Sequence, residues 1–343
     1  MADFSSDELF YLPNLAQIST NGMKQLLSVP ASNQSFGLQA MTEEIHATFQ
    51  IESIRSSRNS IRHILNGYAP RNEEESRIYG MKRGLDFIAD RQNAITEENL
   101  HQLYQISSGD YLPDEDRLLP DHFYRHDHVY VVGGEESREG LPAQQLPDAM
   151  KRLVDFTNAK DGINELHKAA ILHFAFAYYH PYFDGNGRTA RLLHLWYLVQ
   201  QGYPAALFTP FSRYIAESKS AYYKAYARVE KNALTSGYTD VTPFLSYFCN
   251  EVYNRLQVDV IPPQADLQVY QTALANGKIT EKERLLWEYV LSAYGTEEFT
   301  TKQLEKDFRN AAYATIRTFV MKFHEMGLLA TGKAGNRVYY KVR

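Results

Sequence analysis

One cysteine, Cys249, is all the thiol chemistry that 343 residues hold, which excludes an intramolecular disulfide framework. Long apolar runs are missing too. The longest near a helix, AAILHFAFAYY, is too short and too polar to span a bilayer. The opening MADFSSDELFYLP has no basic segment leading into an apolar one, the pattern of a secretory leader. The compartment these absences predict is a reducing cytoplasm, with no membrane as partner. Neither sign of charge is in large excess. With 36 basic and 41 acidic residues the net charge is −5, which argues against a chain that coats nucleic acid over its whole surface. No internal repeat and no low-complexity tract occurs.

What is present suits one large domain and a smaller one, with a hydrophobic content of 44% to fill their cores. Charge is unevenly spread: from Thr300 onward nine bases face three acids, a net of +6, which leaves −11 on the rest. Apolar residues recur at helical spacing from Thr42 until Asn66, Gly67 and Pro70 stop them. HDHVYVVGG (126–134) alternates and ends in two glycines, which predicts a hairpin. Helices are predicted at 146–158, at 163–180 with an apolar stripe of Ile163, Leu166, Ala170, Phe174 and Ala177, and at 188–202, apolar nearly all round and closed by Gly202 and Pro204. IPPQAD (261–266) reads as a linker. Beyond it, Thr280 with Glu283 and Thr300 with Gln303 form two capping boxes, and Asn310 is placed to cap a third helix carrying Ile316, Val320 and Phe323. The last sixteen residues read as two strands around a Gly-rich turn, so the end of the chain is predicted to be a winged helix-turn-helix domain. The divisions expected are 1–95 for an N-terminal helical region, 96–258 for a core, 259–275 for a linker and 276–343 for the winged helix, mostly α throughout.

Residues 180–191, HPYFDGNGRTAR, form the loop between two core helices and the start of the second. A helix amino end preceded by glycines is an anion site, because its first amides lack internal partners. Gly185 and Gly187 let successive N–H groups converge on one oxygen. Asp184 adds a hard carboxylate, and Mg²⁺ is typically held by one or two carboxylates plus substrate phosphates. Arg188 and Arg191 share a helix face and offer forked donors to further phosphate oxygens. His180, just before a proline, turns its ring off the helix, where an imidazole can act as a base for a hydroxyl.

This stretch resembles the signature of Fic (filamentation-induced-by-cAMP) proteins, His-Pro-Phe-x-Asp/Glu-Gly-Asn-Gly-Arg-x-x-Arg, with Tyr182 where Phe is usual. The resemblance runs from about residue 40 to 258. It implies a helical-bundle core with a short β-hairpin flap, and transfer of AMP from ATP to a Ser, Thr or Tyr hydroxyl of a protein with release of pyrophosphate. His180 would deprotonate the hydroxyl, and Asp184 would hold Mg²⁺ on the phosphates. Asn186 with the Gly185 and Gly187 amides would bind the phosphates, and Arg188 and Arg191 their outer end. The Doc branch, which transfers phosphate, carries lysine at the acidic position, so Asp184 favours AMP.

The family often carries an inhibitory Ser/Thr-x-x-x-Glu-Gly/Asn. TFQIES supplies Thr48 and Glu52, with Ser53 at the last place; Glu52 paired with Arg191 would hold off the γ-phosphate. The resemblance also makes His128, Val129, Tyr130 and Val131 a flap to which a target adds as a strand, and puts Tyr222 and Tyr223 at the nucleoside wall, although a core role fits them as well. His122, His126 and His128 have a spacing that suggests zinc, set aside because no cysteine accompanies them. The predicted activity is therefore self-directed and target-directed AMPylation restrained by Glu52. A nucleotide-sensing DNA-binding regulator working through 276–343, a deAMPylase or another nucleotidyl- or phosphotransferase, and a homodimer stay open as alternatives.

Overall fold

The computed structural model describes residues 9–27, 38–132, 137–256, 264–294, 298–308, 310–335 and 337–343. Among these the chain forms two compact units, one built from residues up to 27 and from 40 to 256, the other from residues 264 to 343.

The first unit is helical. In order it comprises β1 (Leu9–Phe10), α1 (Thr20–Leu26), α2 (Leu38–Ile51), α3 (Arg58–Leu65), α4 (Glu73–Ala89), α5 (Glu97–Ser107), β2 (Tyr130–Val132), β3 (Ser137–Glu139) and α6 (Leu146–Asn158). There follow α7 (Glu165–Tyr179), α8 (Asn186–Gln200), α9 (Phe211–Glu217), α10 (Lys219–Ser236), β4 (Thr239–Asp240) and α11 (Thr242–Tyr247), continued by a π-helical turn over Phe248–Val252. Helices α7 and α8 form the centre. From Leu166 to Phe176 every α7 side chain is buried, so this helix is enclosed on all sides and not on the single stripe predicted for it. It starts two residues later than predicted, at an Asn164 cap that accepts from the Leu166 amide at 3.0 Å. Helix α8 is buried all round, as its composition predicts.

Helix α4 packs on α8 so closely that a Cβ at Gly84 would meet Ser107 at 2.9 Å and Leu192 at 3.0 Å. The division expected at 95/96 thus runs through one packed unit. The helical pattern predicted from Thr42 to Pro70 is two helices. Ser53 takes a left-handed φ of 58° after α2, and Ser57 caps α3 by accepting from the Ser60 amide. No glycine or proline marks that break.

The second unit begins with α12 (Gln264–Ala275), so most of the stretch expected as linker is helical; 257–263 lie outside the described residues. Then come α13 (Glu281–Ala293), α14 (Thr301–Phe308), α15 (Tyr313–Glu325) and the antiparallel pair β5 (Leu329–Ala334) and β6 (Arg337–Val342). Leu286, Val290, Leu304, Ile316, Val320 and Phe323 fill its core. The capping box of Thr280 and Glu283 forms in both directions, and Thr300 accepts from the Gln303 amide at 3.1 Å. Asn310 does not cap α15; Ala312 occupies that place. Among the described residues no helix is long and apolar enough to cross a membrane.

Candidate functional site

The loop between α7 and α8 gathers most of the residues singled out in the sequence. Helix α7 ends because Pro181 follows and His180 takes a left-handed φ of 54°. Helix α8 begins because Gly185, at φ 83°, turns the chain into its first residue, and a Cβ there would meet the Ser108 side chain at 2.8 Å. The turn is closed by Asn186: its Oδ1 accepts from the Tyr182 amide at 2.9 Å and its Nδ2 donates to the Tyr182 carbonyl at 2.8 Å. At 2% exposure its side-chain amide is engaged within the loop, on the Tyr182 backbone.

Asp184 stands at the mouth of α8 with its side chain 53% exposed. One oxygen accepts from the Gly185 amide at 2.5 Å and the other from the Arg188 guanidinium at 2.9 Å. Arg188 and Arg191 are both buried, so the cations belong to the floor of the site. Arg191 donates Nε to Thr48 Oγ1 at 2.6 Å and Nη2 to Glu52 Oε1 at 2.5 Å, which joins α2 to α8. Burial works against the Arg191 charge, but Glu52 together with Tyr222 and Tyr223 more than offsets it, so the pKa is raised. Glu52 also lies over the first turn of α8, where a Cβ at Gly187 would run into its carboxylate. The acid therefore occupies ground that an anion at this helix end would take.

One turn before Thr48 and two before Glu52, Glu44 accepts from the Ser212 amide at 2.8 Å and from its hydroxyl, pinning α2 to α9. Burial raises the pKa of that carboxyl. Sequence reading missed Glu44, although its i, i+4, i+8 spacing with Thr48 and Glu52 is visible in the sequence.

Tyr182 packs inward, fully buried, its ring stacked on Tyr104 at 3.5 Å between centroids. Among the described residues its hydroxyl has no hydrogen-bond partner. Tyr222 is a core residue: its hydroxyl meets His173 Nε2 at 2.8 Å and its ring lies among Tyr226, Phe244 and Tyr247. Tyr223 is half-buried, and its hydroxyl pKa is raised by burial and by Glu52.

The hairpin predicted from HDHVYVVGG is β2 paired with β3, Tyr130 opposite Glu139 and Val131 opposite Arg138; 133–136 lie outside the described residues. Tyr130 is 73% exposed, and His128 Nδ1 pairs with Glu139. The hairpin base is tied to the end of α7, where the Leu141 amide donates to the Tyr179 carbonyl at 3.2 Å and the Arg125 amide to the Pro181 carbonyl at 2.9 Å. The rings of His122 and His126 lie 6.4 Å apart, and among the described residues no group of three His, Cys, Asp or Glu is placed to hold a metal. An Asp184 contribution to a cation shared with a nucleotide is a different case, since that needs only one protein carboxylate.

Residues 94–198 match the Fic/DOC family. The chain is 30% identical over 126 residues to the protein adenylyltransferase fic-1 of Caenorhabditis elegans, a stretch covering 29% of this chain and 25% of that protein. It is 29% identical over 131 residues to a probable protein adenylyltransferase of Aquifex aeolicus, covering 37% of this chain and 40% of that one. The chain thus spans a quarter to two fifths of the length of these relatives. A crystal structure of a Fic family protein from Desulfovibrio desulfuricans has the same fold, with a TM-score of 0.55 at 18% identity over 89% of this chain and 86% of that one. A Fic domain containing signaling protein from Bacteroides thetaiotaomicron gives 0.52 at 21% identity, over 70% and 89%. The match over 94–198, together with the fold shared with these solved structures, supports a Fic domain in this chain.

Proposed function

We propose that the chain transfers AMP from ATP to protein hydroxyls, its own included, and that Glu52 restrains it. The observation that carries this reading is the single turn that gathers His180, Asp184, the amino end of α8, Arg188 and Arg191, inside the segment that matches the family. His180 takes the proton of the incoming hydroxyl. The oxygen then forms a bond to the α-phosphorus while the bond from that phosphorus to the bridging oxygen breaks, and pyrophosphate leaves. The α8 amides and the two arginines stabilise charge on the phosphates. Asp184, half exposed at the mouth, would hold Mg²⁺, which supplies charge neutralisation on the phosphates. Supporting the restraint, Glu52 engages the Arg191 fork and overlies Gly187.

Label retention tests the reaction type. ATP labelled at the α-phosphorus should leave its label on the Glu52→Gly protein, and ATP labelled at the γ-phosphorus should not. Retention of the γ label instead would reassign the chain to phosphate transfer.

The second unit is read as a winged helix, on the order of its helices and hairpin. On α15, Lys322 is held by Glu283 at 2.7 Å, and Arg317 is exposed. That favours protein docking over reading of a DNA groove, where positive charge concentrates on the inserted helix.

A further inference from the structure

We propose that Arg125 is a positioning residue that fixes the backbone of His180 and sets it in register with the β2–β3 hairpin; the inference rests on the reading of His180 as the base. His180 is held in a conformation that a non-glycine residue avoids, with φ 54° and ψ 60° at the end of α7. The place it occupies, just past the last helical turn, usually goes to glycine or asparagine. The following proline further disfavours helical backbone at this residue. Such a conformation persists only when its surroundings over-determine it, and such residues cluster at functional sites.

Arg125 is what surrounds it. The side chain is 2% exposed, and its fork divides among three segments. Nε donates to the His180 carbonyl at 2.8 Å, Nη1 to the Asp127 carbonyl at 2.5 Å, and Nη2 to the Leu141 carbonyl. Its own amide donates to the Pro181 carbonyl at 2.9 Å, so both carbonyls after α7 are held by one residue. Asp127 leads into β2 and Leu141 leaves β3. One rigid cation therefore ties the histidine to both feet of the hairpin. The fit is close: a Cβ at Gly140 would meet Arg125 Nη2 and Val129 at 2.9 Å and the His180 Cβ at 3.4 Å.

The chemistry explains the choice of arginine. Charge-assisted bonds are about twice as strong as neutral ones, and a planar fork presents donors in several fixed directions at once. A lysine would carry the charge but no fork. The consequence for function is geometric. A target strand laid on the hairpin and the imidazole meant to take its proton are referenced to the same guanidinium, so shifts of the two are coupled.

The test uses the full chain carrying Glu52→Gly, with Arg125→Lys and Arg125→Met added separately. Lys168→Met serves as control, because Lys168 is also a buried cation but sits near the other end of α7, bonded to Asp161 at 2.9 Å. Three quantities are read: the rate of self-modification at saturating ATP with its KM for ATP, the Tm, and the imidazole proton resonances of His180, assigned by their loss in His180→Ala. Both Arg125 variants should lower the rate about 100-fold, the effect of misplacing a reacting group by about 1 Å, with KM for ATP changed less than about two-fold. Their His180 resonances should move or broaden. The control should lose Tm while keeping its rate and its His180 resonances. A rate within about three-fold of the parent would overturn the proposal, as would losses that track Tm while the His180 resonances stay in place. Should the Glu52→Gly parent transfer nothing, the AMP-transfer reading fails by itself and the resonances decide alone: moved signals uphold the role of Arg125, and unmoved signals overturn it.

Discussion

Tyr182 and Ser53 are the two positions at which the sequence departs from the motifs it resembles, and at both the structure shows a local cost. The Tyr182 ring fills the same inward place a phenylalanine would, but its hydroxyl is buried without a hydrogen-bond partner among the described residues. Such a group forfeits its hydration for nothing, at about 1–3 kcal/mol. Tyr182→Phe should therefore stabilise the first unit, raising its Tm by about 2–6 °C in a thermal melt. A fall in Tm would mean that the hydroxyl has found a partner. Ser53 ends α2 with φ 58°, which is why glycine or asparagine suits that place. Ser53→Gly should add up to about 1 kcal/mol and hold Glu52 more firmly, so that self-modification slows while Tm rises. Asn186 shows that a polar residue inside a binding motif can also brace its loop, through both bonds to the Tyr182 backbone.

Helix α2 and the residue after it bring the restraining contacts to Arg191. Glu44, Thr48 and Glu52 lie one turn apart along it and face Ser212 of α9 and Arg191 of α8. The outermost member is the one that meets the anion site, and the inner two hold the helix in place. Thr48→Val keeps the volume and removes the acceptor for Arg191 Nε. It should cost about 1–3 kcal/mol and raise the self-modification rate to a value between those of the unmutated chain and Glu52→Gly. An unchanged rate with lowered Tm would confine Thr48 to packing. Helix α8 and its leading loop were legible in the sequence, because Pro181, Gly185 and Gly187 punctuate an apolar run. The reciprocal cap of Thr280 and Glu283 was legible for the same kind of reason: it is local. The break between α2 and α3 carries no glycine or proline, and α12 lies where composition reads as linker. Arg125 was invisible because two of its three side-chain partners are 16 and 55 positions away, in segments whose meeting only the fold decides.

At the scale of the molecule, each unit closes a core of its own, and the first is organised around aromatic and histidine side chains between α7 and α8. His173 and His194 are both fully enclosed there, 5.7 Å apart. Burial holds His173 far below the usual imidazole range and takes His194 down to about 3. A histidine with a depressed folded pKa contributes stability that is present above its unfolded value near 6.5 and is lost as pH falls towards the folded one. The first unit should therefore melt progressively lower below pH 6.5, each histidine contributing a slope that approaches about 1.4 kcal/mol per pH unit. Glu44, whose pKa is raised by burial, pulls the other way, so a Tm that rises on acidification would show the carboxyl in command. On the proposed reading, a restrained AMP transferase is built around His180 and is released by removing one carboxylate. Intact mass tests it most directly, taken after incubation with Mg²⁺ and ATP on the unmutated chain, Glu52→Gly, and Glu52→Gly with His180→Ala. A gain equal to AMP is expected on Glu52→Gly alone. A gain equal to phosphate, a gain that survives His180→Ala, or no gain on Glu52→Gly would contradict it.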